Sequence, residues 1–201
     1  MLETSRELDS KSDAEPILNI LFKNIELTKN VRFSTFTSQD ISKRLSCSPS
    51  AELMQEVYPI MTRDEVTTVA QSDEEIVALG NYMLQRFKGK KANRKFFISS
   101  KMRLAARLLI QLRKQTDLKS AEMSVFLTPH HFHEVVRASL VCGSPIQLGY
   151  DIKCMALIKY GRAMMNRHEE ARADSEVLIK LFNMEWSQSV YRHIGFTNNS
   201  F

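Results

Sequence analysis

The stretch that decides the fold is FFISSKMRLAARLLIQLRKQT, residues 96–116. Its apolar residues recur every three or four positions, the spacing that places side chains on one face of an α-helix. Arg103, Arg107 and Lys114 fall together on the opposite face. The sequence therefore predicts a helix over residues 96–116 whose buried face is formed by Met102, Leu104, Ala105, Leu108, Leu109 and Leu112.

Helical patterns continue on both sides of this stretch. Thr62 with Glu65, and Ser72 with Glu75, have the spacing of capping boxes, in which a hydroxyl and a Glu satisfy free amides at a helix start. No segment alternates as a strand, and Gly and Pro number only 6 and 5. We expect an all-α fold, an orthogonal array of about eight helices with no sheet.

The last predicted helix covers residues 169–193. Trp186 is the only tryptophan of the chain, and it falls on the apolar face of this helix. A tryptophan in such a position is most often a core anchor. The predicted core positions of the helix are Val177, Leu178, Leu181, Phe182, Trp186 and Val190.

Composition divides the chain into four segments. Residues 1–13 are polar and charged without periodicity, which predicts a disordered tail. An N-terminal helical segment is expected over residues 14–61 and the main helical domain over residues 62–195. Residues 196–201 complete the chain as a frayed tail.

The cysteine and hydropathy patterns limit the class of protein. Cys47, Cys142 and Cys154 are widely spaced and form no CxxC pair, so neither a disulfide framework nor a zinc finger is predicted. No apolar run approaches the roughly 20 residues that a membrane helix needs, so we expect no membrane partner. The polar N-terminus is unlike a secretory signal. These features predict a nuclear or cytoplasmic protein with free thiols.

Residues 86–114 form a basic stretch, which holds eleven of the chain's 28 Lys and Arg residues and none of its 23 acidic residues. Clustered cations neutralise nucleic-acid phosphates and release counterions. A flexible loop over residues 88–95 followed by a helix is expected to present the candidate phosphate contacts, which are Lys88, Lys90, Lys91, Arg94, Lys95, Arg103, Arg107 and Lys114. The alternative is a solvated helix face whose charge is balanced by the flanking acids Glu74, Glu75, Asp117 and Glu122.

A catalytic set is not visible in the sequence. No G-x-S-x-G, P-loop or H-E-x-x-H motif occurs, and Cys142 lies in an apolar run that favours a packed thiol over a nucleophile. His130 and His133 stand three residues apart and could share a metal, but no recognised spacing supplies further ligands. We predict a non-enzymatic protein with no catalytic residues, no cofactor and no metal site.

From Met61 onward, the chain resembles the helical region of animal mobile-element-derived proteins associated with Crypton-like tyrosine recombinases. The resemblance is carried by Met61-Thr62-Arg63-Asp64-Glu65-Val66, Ser72-Asp73, Ser99-Ser100-Lys101-Met102-Arg103-Leu104-Ala105-Ala106-Arg107-Leu108-Leu109, Leu127-Thr128-Pro129-His130-His131-Phe132 and Glu185-Trp186-Ser187. It implies a DNA-gripping, core-binding region. Tyr191-Arg192-His193 lacks the His-x-x-Arg context of the recombinase catalytic domain, so recombinase chemistry is not implied.

Three functional hypotheses follow. The first is a non-catalytic domain of mobile-element origin that binds duplex DNA, with Arg103 and Arg107 as the first pair to mutate. The second is a protein-interaction or homodimerisation module with no nucleic-acid role. The third is a remnant that retains no biochemical role. A steep fall in DNA affinity with salt would favour the first, and concentration-dependent mass at high salt the second.

Overall fold

Helices, joined by turns and short loops, make up the part of the chain that the structure describes. The computed structural model describes residues 46–87 and 91–197, with side chains in the second range from 93 to 192. The α-helices are α1 (Glu65–Ser72), α2 (Glu74–Arg86), α3 (Lys91–Thr116), α4 (Met123–Phe126), α5 (Phe132–Val141), α6 (Pro145–Met165), α7 (Glu169–Met184) and α8 (Trp186–Thr197). Short helical turns cover Leu53–Val57, Tyr58–Ile60 and Pro129–His131. The predicted all-α class is confirmed, and no strand occurs within these ranges.

The core is built around α3, which contacts α1, α2, α5 and α6. All six residues predicted for its buried face are buried, and five of them have no exposed surface. Burying a leucine or methionine side chain contributes about 1.5–3 kcal/mol, so this face is a main source of stability. Helix α2 approaches closely at Gly80, where a Cβ atom would lie 2.6 Å from the sulfur of Met102.

The end of α3 was predicted correctly, but its start was not. The helix ends at Thr116, and Asp117 follows with a φ of 56°. Its first residue is Lys91, so the predicted loop over residues 88–95 is wrong for its last five residues. Arg94, in the first turn, is bonded to Glu52 and Glu56. These partners lie about 40 positions earlier in the sequence, where local pattern could not reveal them.

Aspartates, rather than the predicted hydroxyl residues, cap α1 and α2. The Asp64 carboxylate accepts a hydrogen bond from the Thr67 amide, and Asp73 accepts from the amides of Glu75 and Ile76. Both capping-box predictions are therefore wrong by one or two residues. A carboxylate has a second oxygen for another partner, and Asp73 uses it to accept from the Met123 amide of α4.

The predicted final helix is two helices, α7 and α8, which meet at Glu185. The break lets Trp186 stack on Phe182 with ring centroids 4.6 Å apart, and Trp186 is buried as predicted. The indole also covers Gly149 of α6, where a Cβ atom would lie within 3 Å of three indole atoms. Val177 is exposed, so its assignment to the core is wrong.

Residues 46–60 are attached to α2. The Asn81 amide donates to the carbonyls of Ser46 and Ser48, and its oxygen accepts from the Ser50 amide. Leu53 is fully buried beside Gly80. The predicted tail at 1–13 lies outside the described residues. Of the predicted tail at 196–201, the first two residues end helix α8 and residues 198–201 lie outside the described part. The predicted boundary between 61 and 62 stays a prediction.

The longest described helices are α3 and α6, with 26 and 21 residues. Charged side chains interrupt both along their length. Among the described helices, none has the combination of length and apolar composition that a membrane crossing requires.

Candidate nucleic-acid interface

Arg94 faces inward from the first turn of α3. Its side chain is only 4% exposed, and the guanidinium donates to Glu52 at 2.5 Å and to both oxygens of Glu56 at 2.8 Å. These hydrogen bonds raise the pKa of Arg94, the bond to Glu56 most strongly. Its charge is neutralised within the protein.

Lys101 forms the most deeply buried ion pair of α3. Its Nζ lies 2.9 Å from each carboxylate oxygen of Asp151 in α6, and the two side chains are 8% and 3% exposed. Burial raises the pKa of Asp151 to about 6, although the bond to Lys101 opposes that shift. Desolvation outweighs the attraction at the carboxylate, as is common for buried pairs.

Arg103 binds the start of α1 through both terminal nitrogens of its guanidinium. Nη1 and Nη2 donate to the two Asp64 oxygens at 2.8 and 2.6 Å, and Nη1 also donates to the Thr67 hydroxyl and the Thr62 carbonyl. The pKa of Asp64 is held far below its ordinary value, chiefly by these bonds from Arg103 and then by the Thr67 amide. The same carboxylate thus caps α1 and ties it to α3.

Three cations of the basic stretch therefore form ion pairs that join α3 to other parts of the fold. We call them the inner set: Arg94, Lys101 and Arg103. The acids that pair with them are 38 to 50 positions away in sequence. The four flanking acids that were predicted to balance the charge of the basic stretch do not do so. Among the described side chains, none of the four forms an ion pair with a cation of the stretch. One of them, Glu75, is instead buried against Arg162.

Three other predicted contacts on α3 form the outer set: Lys95, Arg107 and Lys114. Arg107 and Lys114 are exposed and Lys95 is half-exposed, and within the described part of the chain none of the three has a carboxylate partner. Along the helix axis, Lys95 and Lys114 lie about 28 Å apart. Lys88 and Lys90 lie outside the described residues, and Lys91 begins α3 without a described side chain.

Two aromatic residues at the start of α3 were missed by the sequence prediction. Phe96 is 58% exposed and Phe97 is 43% exposed. The Lys95 ammonium lies 5.4 Å from the centre of the Phe96 ring. A signal for Phe96 was present, because it stands about five helical turns before the exposed Lys114 and so shares the outward face of the helix.

The Phe97 ring is supported on two sides. It meets the Phe87 ring edge-on at a centroid distance of 5.4 Å, and the Lys101 ammonium lies 5.5 Å from its centre. The Arg86 guanidinium, exposed at the end of α2, lies 5.8 Å from the Phe87 ring. Rings and cations therefore alternate where α2 ends and α3 begins.

The cysteines and histidines form no comparable arrangement. Burial raises the pKa of Cys47 to about 11 and that of Cys154 to about 12, and it also raises the pKa of Cys142. A raised thiol pKa disfavours the thiolate that nucleophilic or ligand chemistry needs. Within the described residues, no group of three His, Cys, Asp or Glu side chains is placed to hold a metal, so the site considered at His130 and His133 finds no third ligand.

An ion pair outside the basic stretch, Arg162 with Glu75, joins α6 to α2. The Arg162 guanidinium bonds to the Glu75 carboxylate and donates to the Cys47 sulfur. Burial raises the pKa of Glu75, and its second oxygen has no hydrogen-bond partner among the residues that the structure describes. Nearby, the Lys159 ammonium donates to the carbonyls of Ser124 and Leu127. These bonds cross-link helices and leave the outer set of α3 as the charged surface of interest.

Comparison with known proteins adds no relative. No protein-family model, no curated protein and no solved structure matches the chain. The resemblance to mobile-element proteins therefore stays a prediction.

Proposed function

We propose that this chain is a non-catalytic domain that binds nucleic acid through phosphate contacts from the outer set. The observation that supports the proposal is the division of the basic stretch. Internal carboxylates neutralise Arg94, Lys101 and Arg103, whereas Lys95, Arg107 and Lys114 have none among the described residues. Cations without a carboxylate partner keep their charge available to phosphates.

Three phosphate contacts give modest binding. Each neutralised phosphate contributes about 0.9 to the slope of log affinity against log salt for duplex DNA, and about 0.7 for a single strand. The outer set alone thus gives a slope of about −2 to −3. Phosphate contacts position a protein without reading sequence, so we expect weak, salt-sensitive binding with no sequence preference.

The test is a salt titration of binding to fluorescent DNA, with the variant Arg107→Gln, Lys114→Gln. Arg103 is left intact, since it holds α1 and its loss would confuse binding with folding. We expect the variant to flatten the salt slope by about 1.5 to 2. A matched control, Lys180→Gln with Arg192→Gln, removes two exposed charges from α7 and α8 and should leave the slope unchanged.

The two variants lose the same net charge, but the control cations lie in another part of the molecule and face the carboxylates of Glu176 and Glu185. An equal loss of affinity in both would mean that net charge, and not the surface of α3, attracts the DNA. Absence of salt-dependent binding in the wild type would overturn the proposal outright.

A second candidate function is protein association, including homodimerisation. It is favoured by three apolar side chains around the turn between α5 and α6. Val141, Ile146 and Tyr150 are each more than 60% exposed, and Ile146 and Tyr150 lie one helical turn apart. Sedimentation at high salt tests it: a mass that rises with protein concentration, and that Ile146→Ser lowers, would favour association.

A further inference from the structure

We propose that the ligand is single-stranded nucleic acid, whose bases stack on Phe96 and Phe97 while the neighbouring cations hold its backbone. The inference rests on the proposed function and names the ligand class of the same surface. Proteins that bind single strands without sequence preference combine basic grooves with exposed aromatic side chains.

Ring exposure is the first argument. Phenylalanine has no polar group to favour water, yet Phe96 and Phe97 stand side by side with 58% and 43% of their surface exposed. Both lie in the second turn of α3, directly after the first turn, which Arg94 anchors. The edge contact with Phe87 fixes the Phe97 ring. A base could therefore stack on a ring whose orientation is already set.

The arrangement of charge is the second argument. Lys95 lies over the Phe96 ring and Arg86 over the Phe87 ring, and neither has a carboxylate partner within the described ranges. A single strand alternates flat bases with negative phosphates, and this surface alternates rings with cations. An acidic peptide would match the charge but would offer no regular series of flat rings.

The burial of α3 is the third argument, and it counts against duplex reading. A helix that reads duplex DNA lies in a major groove about 12 Å wide. Helix α3 is enclosed by α1, α2, α5 and α6, and Ile98, Met102 and Leu109 have no exposed surface. Its exposed rings are limited to its beginning, so they are placed to contact the bases of a strand and do not extend along the helix as a face that reads a groove.

The experiment compares three DNA ligands on the full chain: an oligothymidylate of about 12 nucleotides, an abasic strand of equal length and charge, and a duplex of matched length. The abasic strand keeps the phosphates and lacks the bases. We expect the oligothymidylate to bind at least about 5-fold more tightly than the abasic strand. In Phe96→Leu this preference should fall towards one, with abasic binding unchanged.

Two further variants complete the design. Phe96→Leu with Phe97→Leu should abolish the preference fully, and a melting curve checks that the loss of the Phe87 contact leaves the domain folded. Tyr191→Leu is the matched control, since it removes an equally exposed ring from α8 and should preserve the preference.

The outcomes separate the inference from the proposed function. Equal binding of the oligothymidylate and the abasic strand, with a salt slope that Arg107→Gln and Lys114→Gln reduce, would overturn stacking and leave phosphate binding standing. Tighter binding of the duplex than of the oligothymidylate would also overturn the inference. Absence of binding to all three ligands would overturn both. Polyglutamate is titrated beside the three DNA ligands, and tighter binding of it than of the oligothymidylate would overturn the inference in favour of a protein partner.

Discussion

Two sets of cations lie on the same helix, α3, and their surroundings differ sharply. The cations of the inner set pair with carboxylates from residues 52–64 and from α6, and their side chains are 4 to 15% exposed. The outer set lies on the same helix and has no carboxylate partner among the described residues. A charge count over residues 86–114 treats the two sets alike. Which cations are neutralised within the fold is decided by the placement of distant acids.

The largest expected effect is on stability, from Lys101→Met. The variant leaves the Asp151 carboxylate buried without its cation, and breaking a buried pair in this way costs about 3–5 kcal/mol. Urea denaturation at neutral pH measures the loss. Because Lys101 lowers the pKa of Asp151, its removal makes the carboxyl take up a proton more readily, so the loss should shrink towards about pH 5.

The Asp151 carboxyl also makes the stability of the wild type depend on pH. Its folded-state pKa is raised to about 6 from 3.8, so its contribution to stability is greatest in acid and is lost as the pH rises through about 6. The control is the double variant Lys101→Met, Asp151→Leu, which removes both charges and should stay within about 1 kcal/mol of the wild type or exceed it. A double variant as unstable as the single one would show that the pair is not what fastens α3 to α6.

A smaller effect is expected from Asp64→Asn, which keeps an oxygen to cap α1 and removes only the charge that faces Arg103. The folded-state pKa of Asp64 is depressed, so its contribution is present above the ordinary value of 3.8 and is lost as the pH falls through the depressed value. The variant should therefore melt below the wild type at neutral pH, and the two melting temperatures should converge in strong acid. Parallel curves at every pH would mean that the charge of Asp64 contributes nothing.

The smallest stability effect is expected where the binding effect is largest. Arg107→Gln with Lys114→Gln should change the free energy of unfolding by no more than about 0.5 kcal/mol, since both side chains are exposed and lack a carboxylate partner among the described residues. Chemical denaturation beside the salt titration checks this. If the free energy of unfolding fell by more than about 1 kcal/mol, these residues would stabilise the fold as the inner set does, and the basis of the proposed function would be removed.

The sequence pattern predicted those features of the helices that depend on residues close together in the chain. The leucine face of α3 follows from a period of 3.6 residues, and the same reasoning placed Trp186 in the core. It did not predict the break at Glu185, because the break serves packing of the indole on Phe182 and over Gly149. Nor did it predict the early start of α3, which is supported by Glu52 and Glu56.

The candidate site was predicted only in part. Charge density in the sequence correctly drew attention to α3, and periodicity placed Arg107 and Lys114 on its outward face. The inner set could not be separated from the outer set, because acids up to 50 positions away give no local signal. Phe96 was overlooked although its position shares that outward face, because the candidate contacts were chosen by charge alone.

The attachment of Arg94 to Glu52 and Glu56 has a practical consequence for shortened versions of the chain. A fragment beginning at Thr62 would retain α1 to α8 and would lack both carboxylates, together with Leu53 and its contact at Gly80. Its α3 would start with an enclosed guanidinium that has lost its counter-charges. Protein production for binding assays should therefore keep residues 46–61 joined to the helices that follow.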